Sequence, residues 1–253
     1  MFLTAVIYRV KLACCTALVC AFALLSPPLA EATSWAIDPV RIELSPEQQT
    51  AVINIKNGSD LPTSIQIQVV AWSQLSGKDI YTPTRELLVS PPIITIAPNG
   101  EQIIRTALRR QVDMTNELAY RINLLELPPQ PTAGFMGLQV ALRIGLPVFV
   151  KPQNVKMAPK MTWSISLMPD NNLRLGLKNE GNAHVQVSDF ALYVPGNNQP
   201  IASESGSSYV LAEQTREWIL KTSSMKLVPG GRLHLIAYTD AGHVDMELVL
   251  ALP

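Results

Sequence analysis

Short runs in which apolar and polar residues alternate dominate this chain from Trp35 onward. Successive side chains of a β-strand point to opposite faces, so a period of two predicts strands. The 3.6-residue period of an amphipathic helix is almost absent from the sequence. Turn residues such as Gly, Pro and Asn interrupt the runs roughly every 8–12 residues, the spacing typical of β-sandwiches and barrels. The pattern therefore predicts an all-β protein.

The predicted strands fall into two groups of about seven, which favours two tandem immunoglobulin-like β-sandwich domains. The first group comprises residues 41–44, 50–56, 64–73, 86–90, 93–97, 102–107, 119–125 and 138–150. The second group comprises residues 162–168, 173–179, 185–194, 218–222, 233–239 and 246–252. A linker around residues 152–159 separates the groups, so we expect an N-terminal domain at residues 33–152 and a C-terminal domain at residues 153–253.

The run at residues 138–150 is much longer than an ordinary strand of about five or six residues. Pro147 has no N–H to donate to a neighbouring strand, so the C-terminal part of this run is expected at a sheet edge or a crossing point. Two interpretations remain open at this stage. The run is either a long core strand or an edge strand whose apolar side chains are reserved for a partner protein.

The N-terminus has the organisation of an export signal. Arg9 and Lys11 precede an apolar run at residues 12–25, and a small-x-small sequence follows at residues 30–32. This order predicts a signal peptide at residues 1–32 and a mature chain that begins near Thr33. A retained membrane anchor is the alternative, but the apolar run is shorter than the ~20 residues that a spanning helix needs. We therefore expect no stable membrane insertion after cleavage.

All three cysteines, Cys14, Cys15 and Cys20, lie within this predicted signal peptide. The mature protein would then contain no disulfide, and its sandwiches would depend on apolar burial. A lipoprotein is disfavoured because the residues before Cys20 lack the small side chain that normally precedes a lipidated cysteine.

Composition and spacing argue against nucleic-acid binding and against catalysis. The 20 basic residues equal the 20 acidic residues in number, so no basic excess is available to neutralise phosphates. The histidines, His184, His234 and His243, are scattered and lack metal-ligand spacing, which favours surface or turn positions. Neither a G-x-S-x-G elbow nor a Gly-rich phosphate loop occurs. We expect no enzymatic activity, no metal site and no cofactor.

Three motifs in a fixed order resemble a known family. They are SPPIITIAPNGEQIIR at residues 90–105, ELAYRINLLELPP at residues 117–129, and the long alternating run that ends at Pro152. This order resembles the periplasmic chaperones of the chaperone-usher pathway, which assemble pili on the outer membrane of Gram-negative bacteria. The resemblance covers essentially the whole mature chain. It implies two immunoglobulin-like domains in a boomerang arrangement, a periplasmic location, and pilus subunits and an outer-membrane usher as partners.

In this family, the long last strand of the first domain completes a pilus subunit that lacks its own final strand. The resemblance implies the donor role for Leu138, Val140, Leu142 and Ile144. An incomplete subunit exposes an apolar groove and unpaired backbone edges, which is an aggregation hazard that a donated strand removes. The expected function is therefore capture and stabilisation of pilus subunits and their delivery to the usher.

The family also anchors the subunit's C-terminal carboxylate, using an arginine on the first strand and a lysine on the long strand. Arg41 has the family's spacing within residues 37–41, and its guanidinium can hold a carboxylate through two parallel hydrogen bonds. Pro147 occupies the place of the lysine, a departure that resembles the divergent, archaic branch. Arg143, on the same face by parity, and Arg105, on a neighbouring strand, are the candidate substitutes.

Two other functions remain as alternatives. An extracellular adhesin or carbohydrate-binding module would be expected to place aromatic side chains on an exposed face or loop. Trp35, Trp72, Trp163 and Trp218 mostly lie in strand-like runs, where burial is expected. A structural pilus component would be expected to carry a short N-terminal donor extension instead of two full sandwiches.

Overall fold

The computed structural model describes residues 34–128, 140–222 and 227–252. Every regular element within these ranges is a β-strand, and the prediction of an all-β protein is confirmed. None of the described residues forms a helix that could cross a membrane. The predicted signal peptide at residues 1–32, with its three cysteines, lies outside the described residues.

The strands are short, and most are separated by tight turns. In chain order they are β1 (Trp35–Asp38), β2 (Ile42–Leu44), β3 (Thr50–Asn57), β4 (Thr63–Leu75), β5 (Lys78–Pro83), β6 (Leu87–Ser90), β7 (Ile93–Ile96), β8 (Glu101–Leu108), β9 (Leu118–Leu127), β10 (Arg143–Val150), β11 (Met161–Leu167), β12 (Leu173–Asn179), β13 (Val185–Tyr193), β14 (Ala202–Val210), β15 (Thr215–Leu220), β16 (Arg232–Thr239) and β17 (Gly242–Val249).

Strands β1 to β10 form the first sandwich. One sheet has the order β1-β3-β8-β6, and the other has the order β2-β10-β9-β4-β5, with β7 also paired to β4. Alternate side chains of both sheets meet in one apolar core, in which Ile53, Ile104, Ile122 and Val148 have no exposed surface. The period of two in the sequence is thus the period of burial.

Strands β11 to β17 form the second sandwich, from sheets of order β11-β12-β15 and β14-β13-β16-β17. Its core contains the stacked indoles of Trp163 and Trp218, together with fully buried Leu175 and Leu235. The prediction of tandem sandwiches is confirmed. The domain boundary at residue 153 stays a prediction, and this residue lies in the segment between β10 and β11.

Three strands, β1, β5 and β14, were absent from the sequence prediction. Each of them is the last strand at one side of its sheet. The sequence of β14, ASESGSSYV, is mostly polar, and five consecutive residues in it are exposed. An edge strand with little buried surface does not need apolar alternation, so its sequence lacks the signal from which strands are predicted.

A buried asparagine ends one strand of each sandwich. Asn57 ends β3, and Asn179 ends β12; neither has exposed surface. Each side-chain amide donates to three backbone carbonyls at 2.7–3.3 Å, those of Leu61, Ile96 and Ala97 in the first sandwich and of Ala183, Val210 and Leu211 in the second. These bonds satisfy buried polar groups where a strand ends and its ladder stops. The chain segments that follow Asn57 and Asn179 are therefore held by the same kind of hydrogen bonding.

Candidate functional site

Strand β10 is paired unequally on its two sides. Its antiparallel pairing with β9 runs along the whole strand, from Arg143 opposite Leu125 to Val150 opposite Leu118. On the other side, β2 pairs in parallel with residues 148–150 only. No other strand among the described residues pairs with residues 143–147 on that side. We call this stretch of β10 the open edge, and its backbone groups are free to pair with a strand from another protein.

The strand predicted at residues 138–150 is longer than the strand observed. Strand β10 begins at Arg143, whereas Leu138 lies outside the described residues and residues 140–142 precede the strand. The ladder continues only as far as Leu142, whose carbonyl accepts from the backbone N–H of Glu126 at 2.9 Å. Two prolines follow the end of β9, and proline has no N–H with which to extend the pairing.

The apolar side chains at this end of β10 become more exposed with distance from the core. Leu146 is buried, Ile144 and Leu142 are partly buried, and Val140 is 69% exposed. Ile144 still packs against the core of the first sandwich. Of the three described members of the predicted donor set, Val140 is therefore the most exposed, and their donor role stays a prediction.

Arg41 lies at the point where the open edge ends. It precedes Ile42, which pairs with Val148, so the same register places Arg41 level with Pro147. Its guanidinium is 3.3 Å from a Glu43 carboxylate oxygen and 3.7 Å from an oxygen of Asp240. With 38% of its side chain exposed, Arg41 remains accessible to a further carboxylate.

The two candidate partners of Arg41 lie elsewhere. Arg143 is at the opposite end of β10, four residues before Pro147, which corresponds to about 13 Å along a strand. Arg105 is exposed on β8, in the other sheet of the first sandwich, where it pairs with Val52. Because Ile104 points into the core, Arg105 points out of the opposite face of the sandwich. The structure does not bring either arginine together with Arg41.

Arg121, which was not among the predicted site residues, lies beside Pro147. Arg121 of β9 is directly opposite Pro147. Its guanidinium carbon is 4.9 Å from the ring centre of Trp72 and 5.4 Å from that of Tyr81, and one terminal nitrogen donates to the Tyr81 hydroxyl. Its Nε is buried and has no hydrogen-bond partner among the described residues. Arg121 belongs to the motif at residues 117–129, but only the register of β9 against β10 shows that it lies opposite Pro147.

Glycine at position 145 leaves room for Arg121. A Cβ atom built on Gly145 would lie 2.9 Å from Arg121 Nε and 3.1 Å from its Cδ. A side chain at position 145 would therefore displace Arg121.

Side chains of the second sandwich pack against the same face of β10. The ring of His184 stacks on Phe149 at 3.6 Å between ring centres, and its Nδ1 is 2.6 Å from a carboxylate oxygen of Glu117. Phe149, Trp72 and Leu211 form a separate buried cluster between the sandwiches. His184 follows the turn after β12, a position within the expected surface or turn set, although its side chain is only 11% exposed.

Polar bonds accompany this apolar contact between the sandwiches. The Gln74 amide accepts from the backbone N–H of Leu211 at 3.0 Å and donates to the Tyr209 carbonyl and to Asp79, each at 2.8 Å. Burial alone would raise the pKa of Asp79, but hydrogen bonds from Gln74 and Trp72 and the nearby Arg216 hold it below its usual value. Asp79 is therefore ionised at neutral pH and accepts bonds from both sandwiches.

Arg41 and Arg121 differ in whether nearby carboxylates neutralise their positive charge. Lys151 donates to Glu43 at 2.9 Å, and this bond, with Arg41 nearby, lowers the pKa of Glu43. Arg41 thus shares Glu43 with Lys151, whereas Arg121 forms no ion pair among the described residues. Burial raises the pKa of Tyr209, and both arginines act in the opposite direction. Both guanidinium groups therefore act electrostatically on the phenol of Tyr209.

This site has the features of a binding surface. No group of three or more metal-ligating side chains occurs within the described ranges. Its components are an open strand edge, exposed apolar side chains at one end of that edge, and guanidinium groups at the other end. Such an arrangement suits an extended peptide segment with a negative charge at one terminus.

Comparison with known proteins gives a consistent relationship. Residues 34–156 match the family described as Pili and flagellar-assembly chaperone, PapD N-terminal domain. Chaperone protein HifB of Haemophilus influenzae is 24% identical over 120 residues, which are 44% of this chain and 48% of that protein; the chain thus spans about half the length of this relative. Chaperone protein PapD of Escherichia coli is 21% identical over 193 residues, 75% of this chain and 77% of PapD.

A solved structure extends the likeness in fold to both sandwiches. A chain from the CsuC–CsuE chaperone–tip adhesion subunit pre-assembly complex, from the archaic chaperone-usher Csu pili of Acinetobacter baumannii, matches with a TM-score of 0.64 at 19% identity. The match covers 86% of this chain and 99% of that chain.

Proposed function

We propose that this chain is a PapD-like pilus chaperone that captures pilus subunits in the periplasm; the match of residues 34–156 to the PapD N-terminal domain family and the likeness to chaperone protein PapD support this proposal. Capture occurs by donation of the open edge of β10, which includes Ile144, and of the preceding residues Leu138, Val140 and Leu142. The captured subunit is then passed to an outer-membrane usher. The chaperone domain of residues 33–152 carries the donor strand, and residues 153–253 form the second domain.

The open edge is the observation that carries this proposal. Residues 143–147 of β10 lack a strand partner on one side among the described residues, and Val140, just before them, exposes 69% of its surface. Unpaired backbone groups and exposed apolar side chains on one segment are a liability in a free protein. When a partner protein lacks one strand, these same backbone groups and apolar side chains supply the hydrogen bonds and apolar contacts that the partner is missing.

The position of β2 supports a direction for the incoming strand. A strand paired to the open edge lies in the same row as β2, so it must end before Arg41, where β2 takes over the pairing. If that strand runs parallel to β10, its C-terminus is the end that meets Arg41. A guanidinium attracts a carboxylate and repels an amino terminus, so the charge favours the parallel orientation and a terminal carboxylate.

An adhesin or carbohydrate-binding module, the alternative function, would be expected to carry aromatic side chains on an exposed face. Three of the four tryptophans, Trp72, Trp163 and Trp218, are buried, and Trp35 is partly buried against the core of the first sandwich. Their rings are therefore committed to packing, and no specific observation favours the adhesin function.

The proposal is tested by affinity capture from a periplasmic extract of the native host, with the tagged mature protein and mass spectrometry of what it retains. We expect recovery of a small β-rich subunit. Leu142→Asp should abolish recovery because it places a charge among the donated apolar side chains. Ala141→Ser, on the opposite face of the same segment, is the matched control. Equal recovery with Leu142→Asp and with the unmodified protein would refute donation by this segment.

A further inference from the structure

We infer that Glu126 is a positioning residue: it holds the chain that leads into β10 and turns the backbone carbonyl of Ala141 toward the open edge. This inference rests on the proposed function and concerns the N-terminal end of the open edge. It adds one hydrogen-bond acceptor to the edge with which a captured subunit pairs.

Two hydrogen bonds join Leu142 to Glu126 at the end of β9. The backbone N–H of Leu142 donates to Oε2 of the Glu126 carboxylate at 2.9 Å, and the Leu142 carbonyl accepts from the backbone N–H of Glu126, also at 2.9 Å. A hydrogen bond to a carboxylate is shorter and stronger than one to a neutral acceptor. Glu126 is partly buried, which reduces competition from water. One residue therefore holds both polar backbone groups of Leu142.

A side chain takes the place of a backbone acceptor because the ladder between β9 and β10 ends here. Strand β9 ends at Leu127, and Pro128 and Pro129 follow it. Proline has no N–H, so the chain after Leu127 does not extend the pairing. The carboxylate of Glu126 thus bonds the last N–H of the incoming chain that β9 can reach.

The bonds of Leu142 fix the direction in which the neighbouring backbone groups point. In an antiparallel pair, every second residue directs both its N–H and its carbonyl to the same neighbouring strand. Leu142 directs both groups toward β9. Lys151, at an odd-numbered position, donates its N–H to the Leu44 carbonyl on the β2 side. The odd-numbered residues Arg143 and Gly145 therefore direct their backbone groups to the open edge.

The carboxylate bond extends this alternation to Ala141. The N–H of Leu142 and the carbonyl of Ala141 belong to one peptide group, which is planar and trans, so the two groups point in opposite directions. Since the N–H points to Glu126, the Ala141 carbonyl points to the open edge. Within the described part of the chain, the bond to the carboxylate is the hydrogen bond that holds this peptide group.

A fixed Ala141 carbonyl lengthens the open edge at the end that an incoming parallel strand meets with its N-terminal part. The carbonyls of Arg143 and Gly145 follow along the same edge. Ordering the chain before binding removes part of the backbone entropy that binding would otherwise cost. The same bond also fixes the direction of the Leu142 side chain, one of the apolar side chains proposed for donation.

The bond itself is measured by amide hydrogen exchange in the isotope-labelled mature protein, followed by NMR. The Leu142 amide should exchange at least about tenfold faster in Glu126→Ala than in the unmodified protein, because a bond to a charged acceptor is lost. Glu126→Gln keeps an oxygen acceptor at the same reach and should retain part of the protection. Glu204→Ala, at an exposed position on β14, controls for the loss of one carboxylate.

The role in capture is measured with synthetic decapeptides of alternating valine and threonine that carry an N-terminal fluorophore and a free C-terminal carboxylate. One peptide is unmodified, and each of the others carries a single N-methyl group, which removes one backbone N–H. Fluorescence anisotropy gives Kd for each peptide. A position at which N-methylation raises Kd is a position whose N–H pairs with the open edge.

In the unmodified protein, N-methylation should raise Kd at alternate positions, and the sensitive position nearest the N-terminus is the one that pairs with Ala141. Glu126→Ala should make that position insensitive, leave the others sensitive, and weaken binding of the unmodified peptide about tenfold. Glu126→Gln should keep the position sensitive. A general loss of stability, which circular dichroism would reveal, would affect all positions alike.

The possible outcomes separate the inference from the proposed function. Unchanged exchange of the Leu142 amide in Glu126→Ala would overturn the positioning bond, and unchanged sensitivity nearest the peptide's N-terminus would overturn the presentation of Ala141. Either result leaves strand donation intact, provided that N-methylation at the other alternate positions still raises Kd. Failure of the unmodified protein to bind the unmodified peptide would count against strand donation itself, and the inference would fall with it.

Discussion

The two parts of β10, residues 143–147 and residues 148–150, differ in their pairing. Residues 148–150 are buried and lie between β9 and β2, whereas residues 143–147 are paired with β9 only. Leu146, Val148 and Val150 pack in the core of the first sandwich. Leu142 and Val140, which precede the strand, leave apolar surface available to a partner. One end of this segment thus stabilises the fold, and the other end is available for binding.

The largest difference between the halves should appear in the free energy of unfolding. Val148→Asp places a charge at a position with no exposed surface, and we expect it to cost more than about 4 kcal/mol and to prevent folding. The matched change at the exposed end, Val140→Asp, should alter stability by no more than about 0.5 kcal/mol. Urea denaturation followed by circular dichroism compares them, and similar losses at both positions would contradict the distinction.

Capture should show the reverse order of sensitivity. Leu142→Asp is expected to abolish subunit recovery while lowering the free energy of unfolding by less than about 1 kcal/mol, since Leu142 is only partly buried. The pull-down and a urea curve on the same preparation measure the two effects. Loss of the fold in this variant would favour the long-core-strand interpretation for the whole segment.

Arg41, at the junction of the two halves, should affect capture more than stability. Arg41→Ala removes a guanidinium whose ion pairs with Glu43 and Asp240 are partly exposed, so the expected loss of stability is about 0.2–1 kcal/mol. Affinity for the recovered subunit should fall about tenfold, because a charge-assisted bond to its carboxylate is lost. Titration calorimetry with that subunit measures the change, and unchanged affinity would exclude Arg41 from the anchor.

The smallest expected effect concerns how pH acts on the paired half. The Lys151 hydrogen bond lowers the pKa of Glu43 in the folded protein, so ionised Glu43 stabilises the fold at pH values above its unfolded pKa of about 4.3. That contribution is lost as pH falls through the lower folded pKa. It amounts to a few tenths of a kcal/mol, roughly, because the pair is partly exposed.

Glu43→Gln should therefore reduce the loss of stability between neutral and acidic pH. Urea denaturation of both proteins at pH 7 and pH 3 measures this difference. Other carboxylates with lowered pKa values, such as Asp79, titrate in both proteins and cancel in the comparison. An identical pH dependence in the two proteins would show that the Glu43–Lys151 pair contributes nothing to stability.

Much of the fold could be predicted from local pattern, and the errors have physical causes. Strands with one buried face, such as β3 and β12, were located to within a residue or so because burial imposes alternation. Polar edge strands such as β14 have little to bury and were missed. The start of β10 was predicted too early. Apolar and polar residues already alternate from residue 138, but the prolines after β9 offer no N–H groups with which those residues could pair.

The candidate site was only partly accessible from sequence. Arg41 and the alternating run could be identified from the order of motifs, and Pro147 could be recognised as a departure from the family pattern. Arg143 was selected because of its parity on the same strand, which ignores its distance from Pro147 along the strand. Arg105 was selected as a neighbour, although its strand belongs to the other sheet.

The sequence by itself determined the all-β class, the two groups of strands and the residues that alternate into each core, because side-chain direction along a strand is a local property. Only the tertiary structure decided which strand edge stays open and which arginine lies beside Pro147. Arg121 and Pro147 are distant in the chain and become neighbours through the register of β9 against β10. Register depends on the packing of the whole sheet, and no local pattern within either segment contains it.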